Sequence, residues 1–146
     1  MENNSHLTAI TRKSLSQPTK YLLENNLIEG RVLDFGCGKG FDTDFLLSEG
    51  FEAVGYDPHF RPEKPNGKFN TIICNYVLNV LEEKDSEAVI NEIRGLLEHE
   101  GFAYITVRRD IEKEGYTKRK TFQRNVELKL PILKENSKFC MYFFGC

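Results

Sequence analysis

The segment Asp34-Phe35-Gly36-Cys37-Gly38-Lys39-Gly40 is where this sequence concentrates the means to hold a small molecule. Gly36, Gly38 and Gly40 permit positive φ angles and let backbone N–H groups come close to a ligand, where a Cβ would obstruct it. Asp34 stands at the entrance to the turn. Asp57 follows roughly 20 residues later, the separation at which an acid can accept hydrogen bonds from both hydroxyls of a ribose. A glycine-rich turn alone serves any tight strand-to-helix connection. A turn flanked by two acids in this order predicts a bound nucleoside cofactor.

Two cofactor classes compete for such a turn. A dinucleotide fingerprint, GxGxxG, needs a small residue where this chain has Phe41, and it sets a pyrophosphate against the start of a helix. The GxGxG spacing behind Asp34 suits S-adenosylmethionine instead, because no phosphate requires neutralising and a carboxylate can meet the positively charged amino-acid end. The cofactor contacts read from the sequence are Asp34, Phe35, Gly36, Cys37, Gly38 and Gly40 on the turn, Asp57 and Pro58 at the second acid, and Cys74 and Asn75 further on.

Methyl transfer from a sulfonium moves positive charge off sulfur, so alignment and exclusion of water matter more than a dedicated base. Cys74-Asn75-Tyr76 ends an apolar segment and is expected beside the reactive methyl. Asn75 and Tyr76 are the catalytic candidates: the Asn carbonyl oxygen can hold an amine or hydroxyl nucleophile, and the Tyr ring can stack on a planar acceptor. Plainer roles fit the same residues, Asn75 turning the chain and Tyr76 packing on cofactor or core. Cys37 reads as a small filler of the turn, and His59 as a loop residue that either reaches the ligand or does not. Cys37, Cys74, Cys140 and Cys146 form no CxxC pair or Cys/His cluster, so free thiols and no metal site are expected.

The elements that must position these residues follow from pattern. Pro18-Thr19 followed by residues 20–27 reads as a short helix with Pro in its first turn, and Arg31-Val32-Leu33-Asp34-Phe35 as a buried strand. Phe41, Phe45 and Leu46 recur at helical spacing. Residues 52–57 and 69–74 read as further parallel strands, separated only by a loop rich in Pro and charge. Apolar residues from Ser86 to His99 repeat at three- and four-residue spacing, which predicts an amphipathic helix, and residues 102–107 predict a fourth strand. Val126 to Leu130 and Phe139 to Phe144 are expected as two final antiparallel strands.

At 146 residues the chain has the size of one domain. Residues 1–15 are expected as a flexible leader and 16–146 as a single S-adenosylmethionine-binding domain. No apolar run approaches the roughly 18 residues that span a bilayer, so a cytoplasmic protein is expected. The net charge of -2 hides an asymmetry: Arg108 to Lys138 holds ten Lys/Arg against five Asp/Glu. This segment either meets an anionic partner such as nucleic acid or is a solvated basic surface. Within it, Lys118 to Arg124 mixes cations with Phe122, as a phosphate-binding and base-stacking segment would.

Val32-Leu33-Asp34-Phe35-Gly36-Cys37-Gly38-Lys39-Gly40 and Val54-Gly55-Tyr56-Asp57 resemble the first two motifs of class I S-adenosylmethionine-dependent methyltransferases, a resemblance covering most of residues 20 to 110. Residues 55–62, 76–81 and 121–123 also resemble the methyltransferases associated with DNA phosphorothioation. The resemblance implies an α/β Rossmann-like sheet with antiparallel C-terminal strands. It is shortened here, because the helix and third strand that usually follow the second acid are missing. That strand usually ends near the adenine amine, so adenine recognition must come from elsewhere, around Pro58 to Phe60. The two prolines that follow the Asn or Asp of amino-directed DNA methyltransferases are absent after Asn75. Two functions remain open: methyl transfer to a nucleic acid or a small molecule, or a non-catalytic nucleoside-binding module within a larger assembly.

Overall fold

The computed structural model describes residues 5–10, 12–117 and 121–146. Helix α1 (Gln17–Glu24) has Pro18 in its first turn, where the missing N–H has no helical partner to lose, and it buries Leu22 completely. Strand β1 (Arg31–Phe35) is buried from Val32 onward and runs into the glycine turn. Helix α2 (Phe41–Ser48) starts from Gly40 at φ 89°, with Asp42 and Asp44 in its first turn, where the helix dipole favours acids. Strand β2 (Glu52–Tyr56) follows, then β3 (Phe69–Asn75), a 3-10 turn (Leu78–Val80), helix α3 (Glu83–Leu96) and strand β4 (Leu97–Arg108). Beyond them come a two-stranded hairpin, β5 (Gly115–Tyr116) with β6 (Phe122–Gln123), and the strands β7 (Ile132–Glu135) and β8 (Phe139–Gly145).

The main sheet runs β2-β1-β3-β4-β8-β7. β1 pairs in parallel with β2 and β3, and β3 with β4, whereas β8 is antiparallel to both β4 and β7. Strand order reverses between β1 and β3, which makes their carboxyl ends the switch point where α/β sheets bind ligands. β2 is the edge of the sheet, as the shortened arrangement requires. Alternation sends successive strand residues to opposite faces. Leu33, Ile72 and Ile105 pack with Ile93 of α3, while Val32, Ile73 and Met141 pack with Leu22 of α1 and Leu46 of α2. Asp34, Asn75 and Thr106 share the face of Val32, Ile73 and Tyr104, so polar side chains from β1, β3 and β4 end up together under α1 and α2.

Three expectations shift. α3 starts a turn earlier than its apolar periodicity, because Glu83-Lys84-Asp85 adds no apolar residue to the pattern. β4 begins at Leu97 directly from α3 and bulges between its pairings with Phe69 and Thr71, with Glu100 at φ 66°. Val126 to Leu130 is not a strand: Val126 is buried and Leu128 and Leu130 are partly buried against the α3-side core, so their alternation reflects one-sided covering of the sheet. The strand that pairs with β8 is β7, whose Lys134 and Glu135 suit a solvated sheet edge. Among the described residues, no helix is long and apolar enough to cross a membrane.

Candidate active site

A cleft of about 880 Å³ opens beyond the carboxyl ends of β1 to β4, within the size range of about 300–1,000 Å³ usual for small-molecule sites. Asp34, Phe35, Gly36, Cys37, Gly38, Gly40, Asp57, Pro58, Asn75 and Tyr76 all line it. Cys74 does not. It points to the opposite face of β3 from Asn75, fully buried in the core that packs on α3, so sequence adjacency to Asn75 misplaces it.

The glycine turn is built differently from its sequence reading. Gly36 sits at φ 80°, and a Cβ there would come 2.2 Å from Val77 Cγ2, so only glycine fits. Four of its N–H groups, however, already have partners, most of them on β2 and the residue after it. Those of Gly36 and Cys37 donate to the Tyr56 carbonyl at 2.7 and 2.9 Å, that of Gly38 to Asp57 Oδ1 at 3.2 Å, and that of Gly40 to the Cys37 carbonyl at 3.0 Å. These amides cannot form the N–H nest that cradles a phosphate. The acid at the turn, which also carries Lys39, is Asp34, only 4% exposed, whose carboxylate accepts a 3.0 Å hydrogen bond from Thr43 Oγ1. Burial, reinforced by the nearby Asp42 charge, pushes its pKa up to about 7. A cation beside Asp34 would relieve that penalty; a phosphate would add to it.

Asp57 is the better-solvated acid, and the backbone fixes it. Its Oδ1 accepts from Gly38, and its Oδ2 from the N–H groups of His59 and Phe60 at 3.0 and 2.9 Å. A carboxylate held at both oxygens keeps lone pairs in fixed directions for a diol. Asp57 and Arg61 also exchange backbone hydrogen bonds, and the Arg61 guanidinium clasps both oxygens of Asp44 at 3.0 and 2.9 Å, tying the loop after β2 to α2. Where the larger fold has a helix and strand, this loop instead reaches α3: Lys64 lies 3.4 Å from Glu92 and over the Tyr56 ring. Exposed His59 stacks on His6 with ring centroids 4.0 Å apart.

The far side of the cleft is organised by a network that has no sequence signature. Asp42, almost fully buried, accepts from the Ser16 N–H at 3.0 Å, from Thr19 Oγ1 at 2.8 Å and from Ser16 Oγ. Each hydroxyl has one proton and spends it on the carboxylate, so both oxygens must accept from elsewhere. They face Asn75 Nδ2, at 2.8 Å from Thr19 Oγ1 and 3.3 Å from Ser16 Oγ. Asp42 thereby fixes which way the Asn75 amide points. Its carbonyl oxygen is left over: Asn75 Oδ1 and the Thr106 hydroxyl, side by side in the β3–β4 register, are the buried side-chain polar atoms without a hydrogen-bond partner among the described residues. Such orphans cost about 1–3 kcal/mol each and mark places built for something else.

Tyr76, next in the chain, has φ 61°, a left-handed conformation that an aromatic residue adopts only under constraint. Its N–H is pinned to the Thr106 carbonyl at 2.8 Å. Asn79, also missed by sequence reading, holds this region: its Oδ1 accepts from the Arg108 N–H at 2.6 Å, and its Nδ2 donates to the Arg124 carbonyl at 2.9 Å. Burial pushes the Cys37 thiol up to about 12, so it stays protonated and is no nucleophile.

The basic segment is dispersed. Arg108 and Lys138 line the cleft, Arg109 pairs with Glu135 at 3.3 Å, and Arg124 turns inward to the Leu81 carbonyl and Ser86 Oγ at 2.6 Å each. Phe122 packs its ring against Tyr116. Lys118, Arg119 and Lys120 lie outside the described residues.

A family model described as a methyltransferase domain matches residues 7–138. No curated protein matches the sequence. Among solved structures, the chain is similar to the Burkholderia thailandensis 1,6-didemethyltoxoflavin-N1-methyltransferase with 1,6-didemethyltoxoflavin and S-adenosylhomocysteine bound (TM-score 0.69, 16% identity, covering 88% of this chain and 76% of that one). It is also similar to the magnesium protoporphyrin IX methyltransferase of Synechocystis with S-adenosylmethionine bound (TM-score 0.55, 15% identity, 88% and 76%). A third likeness is to a protein described with the conversion of a disulfide bond into a thioacetal group during echinomycin biosynthesis (TM-score 0.58, 21% identity); it covers 66% of this chain, which spans only 50% of that protein. At these identities the likenesses show the fold.

Proposed function

This chain belongs to the methyltransferase domain family, and from that premise we propose that it transfers the methyl group of S-adenosylmethionine to an acceptor bound at the β3–β4 end of its cleft. The observation that carries the donor assignment is the buried Asp34 at a turn whose three glycine amides are already paired, since this combination favours a cationic ligand over a phosphate. Asp34 would meet the donor's ammonium group. The diol of its ribose would sit on Asp57, and its adenine between Pro58 and the apolar residues Val80, Leu81 and Val89 across the cleft.

When bound, S-adenosylmethionine supplies an electrophilic methyl carbon. The chain's own part is alignment. Asn75, which lines the cleft with its amide oriented by Ser16 and Thr19, would align the nucleophile, while the constrained Tyr76 forms a wall that excludes water. The orphan carbonyl of Asn75 favours an enzyme over a non-catalytic module. The structures to which the chain is similar support a small-molecule acceptor, and the net positive charge of residues 108–138 supports a nucleic acid. Incubation with methyl-labelled donor and a metabolite extract or nucleic acid decides: label in small molecules fits the reading, label in nucleic acid redirects the acceptor, and donor binding without any transfer favours a module.

A further inference from the structure

Six carboxylates line the cleft, and five of them have a partner or an assigned role. Asp34 and Asp57 are assigned above to the donor's ammonium and ribose. Asp42 accepts from Ser16 and Thr19, Asp110 lies 2.8 Å from Arg108 Nε, and Glu92 lies 3.4 Å from Lys64 Nζ. Asp85 is left over: its side chain is exposed and has no hydrogen bond or ion pair among the described residues. An acid in the first turn of α3 suits the helix dipole, but so does Glu83 one turn position away, and Glu83 does not line the cleft.

Asp85, Val89 and Glu92 stand at i, i+4 and i+7 of α3, so one helix face presents all three to the cleft. Val89 and Leu81 are partly buried against the core, and with Val80 and Pro58 they make the apolar slot assigned above to the adenine. Residues four apart on a helix have Cβ atoms about 5–6 Å apart, which brings the Asp85 carboxylate to the edge of a ring lying on Val89. The loop on the other wall has no backbone donor to spare. Pro58 has no N–H, those of His59 and Phe60 donate to Asp57 Oδ2, and that of Arg61 donates to the Asp57 carbonyl. Base reading therefore moves from Pro58 to Phe60, where the sequence places it, to α3. The uncommitted side chain there is an acceptor, and it suits a base that carries a donor on its edge.

We propose that Asp85 selects adenine as the base of the donor, its carboxylate accepting from the exocyclic amine while Pro58, Leu81 and Val89 hold the ring. This rests on the donor assignment above. Glu92 acts differently: its contact with Lys64 ties the loop that carries Pro58 to α3 and so holds the two walls of the slot together.

The test is calorimetry on the full chain with S-adenosylhomocysteine and its 6-deamino analogue, in which hydrogen replaces the amine. The expected result is about tenfold tighter binding of the adenosyl compound, the worth of one hydrogen bond to a charged group. In D85A the adenosyl compound should weaken to the affinity of the analogue, and the analogue should bind as it does to wild type, because the amine contact alone is lost. Failure of both ligands to bind wild type would overturn the donor assignment and this proposal with it. Binding of both to wild type without that preference, a preference that survives in D85A, or equal weakening of both ligands in D85A would overturn this proposal alone.

Discussion

The two ends of the cleft are built by opposite strategies. The end proposed for the donor is local: Asp34, the glycines and Asp57 lie within one βαβ unit, and backbone amides fix the second acid. The end proposed for the acceptor is assembled from residues far apart in the chain, with Ser16, Thr19 and Asp42 orienting Asn75 and cations arriving from before α1 and after β4. A contiguous site can recur unchanged across many proteins, whereas one gathered from separate elements can be altered piece by piece. The fold therefore constrains the donor more tightly than the acceptor.

Breaking the donor end should give the largest effects. Asp34→Asn removes the charge that would meet the ammonium, and S-adenosylhomocysteine affinity measured by calorimetry should fall about 100-fold. The same change should stabilise the empty protein. The folded-state pKa of Asp34, about 7, lies above its ordinary 3.8, so the folded state holds this proton more tightly. Stability is thus lost as pH rises from about 4 to about 7 and levels off above. Thermal melts should show Asp34→Asn several degrees above wild type at pH 8, with the gap closing toward pH 4. Next in size, Asp57→Ala should weaken S-adenosylhomocysteine by about 10- to 100-fold, the worth of one hydrogen bond to a charged group.

Asp42→Asn separates the two ends, because Asp42 touches both. It no longer dictates the protons of Ser16 and Thr19, so the Asn75 amide is freed and kcat should drop about tenfold. It also removes the second-largest cause of the raised Asp34 pKa, so donor affinity should persist to lower pH than in wild type. A fall in kcat without that shift would mean that Asp42 is only structural. The smallest effect belongs to Lys64→Gln, which removes the exposed contact with Glu92. Exposed pairs contribute up to about 1 kcal/mol, so melting should move little and donor affinity by no more than a few-fold.

This division also explains what the sequence made legible. β1, α2, β2 and the glycine turn were readable because a buried strand, a breaker and an acid sit next to one another in the chain. What the amides of Gly36 and Cys37 do was not readable, since their partner, the Tyr56 carbonyl, belongs to another strand. Asn75 was visible as a polar residue ending an apolar strand. Its orientation depends on Asp42, whose place in the first turn of α2 suggests only a favourable helix charge. The apolar alternation at Val126 to Leu130 gave the right buried face and the wrong structure, because covering a sheet and joining it produce the same pattern.

On the reading proposed above, S-adenosylmethionine is held by its charged amino-acid end on buried Asp34, whose pKa lies near 7. Titrating S-adenosylhomocysteine at pH 7 in two buffers of different ionisation enthalpy tests it directly. The expected result is binding with release of a fraction of a proton as Asp34 ionises against the ligand's ammonium, affinity falling by up to tenfold per pH unit below about 7, and no proton release from Asp34→Asn. Absence of binding at millimolar ligand, or binding without proton release, would contradict it.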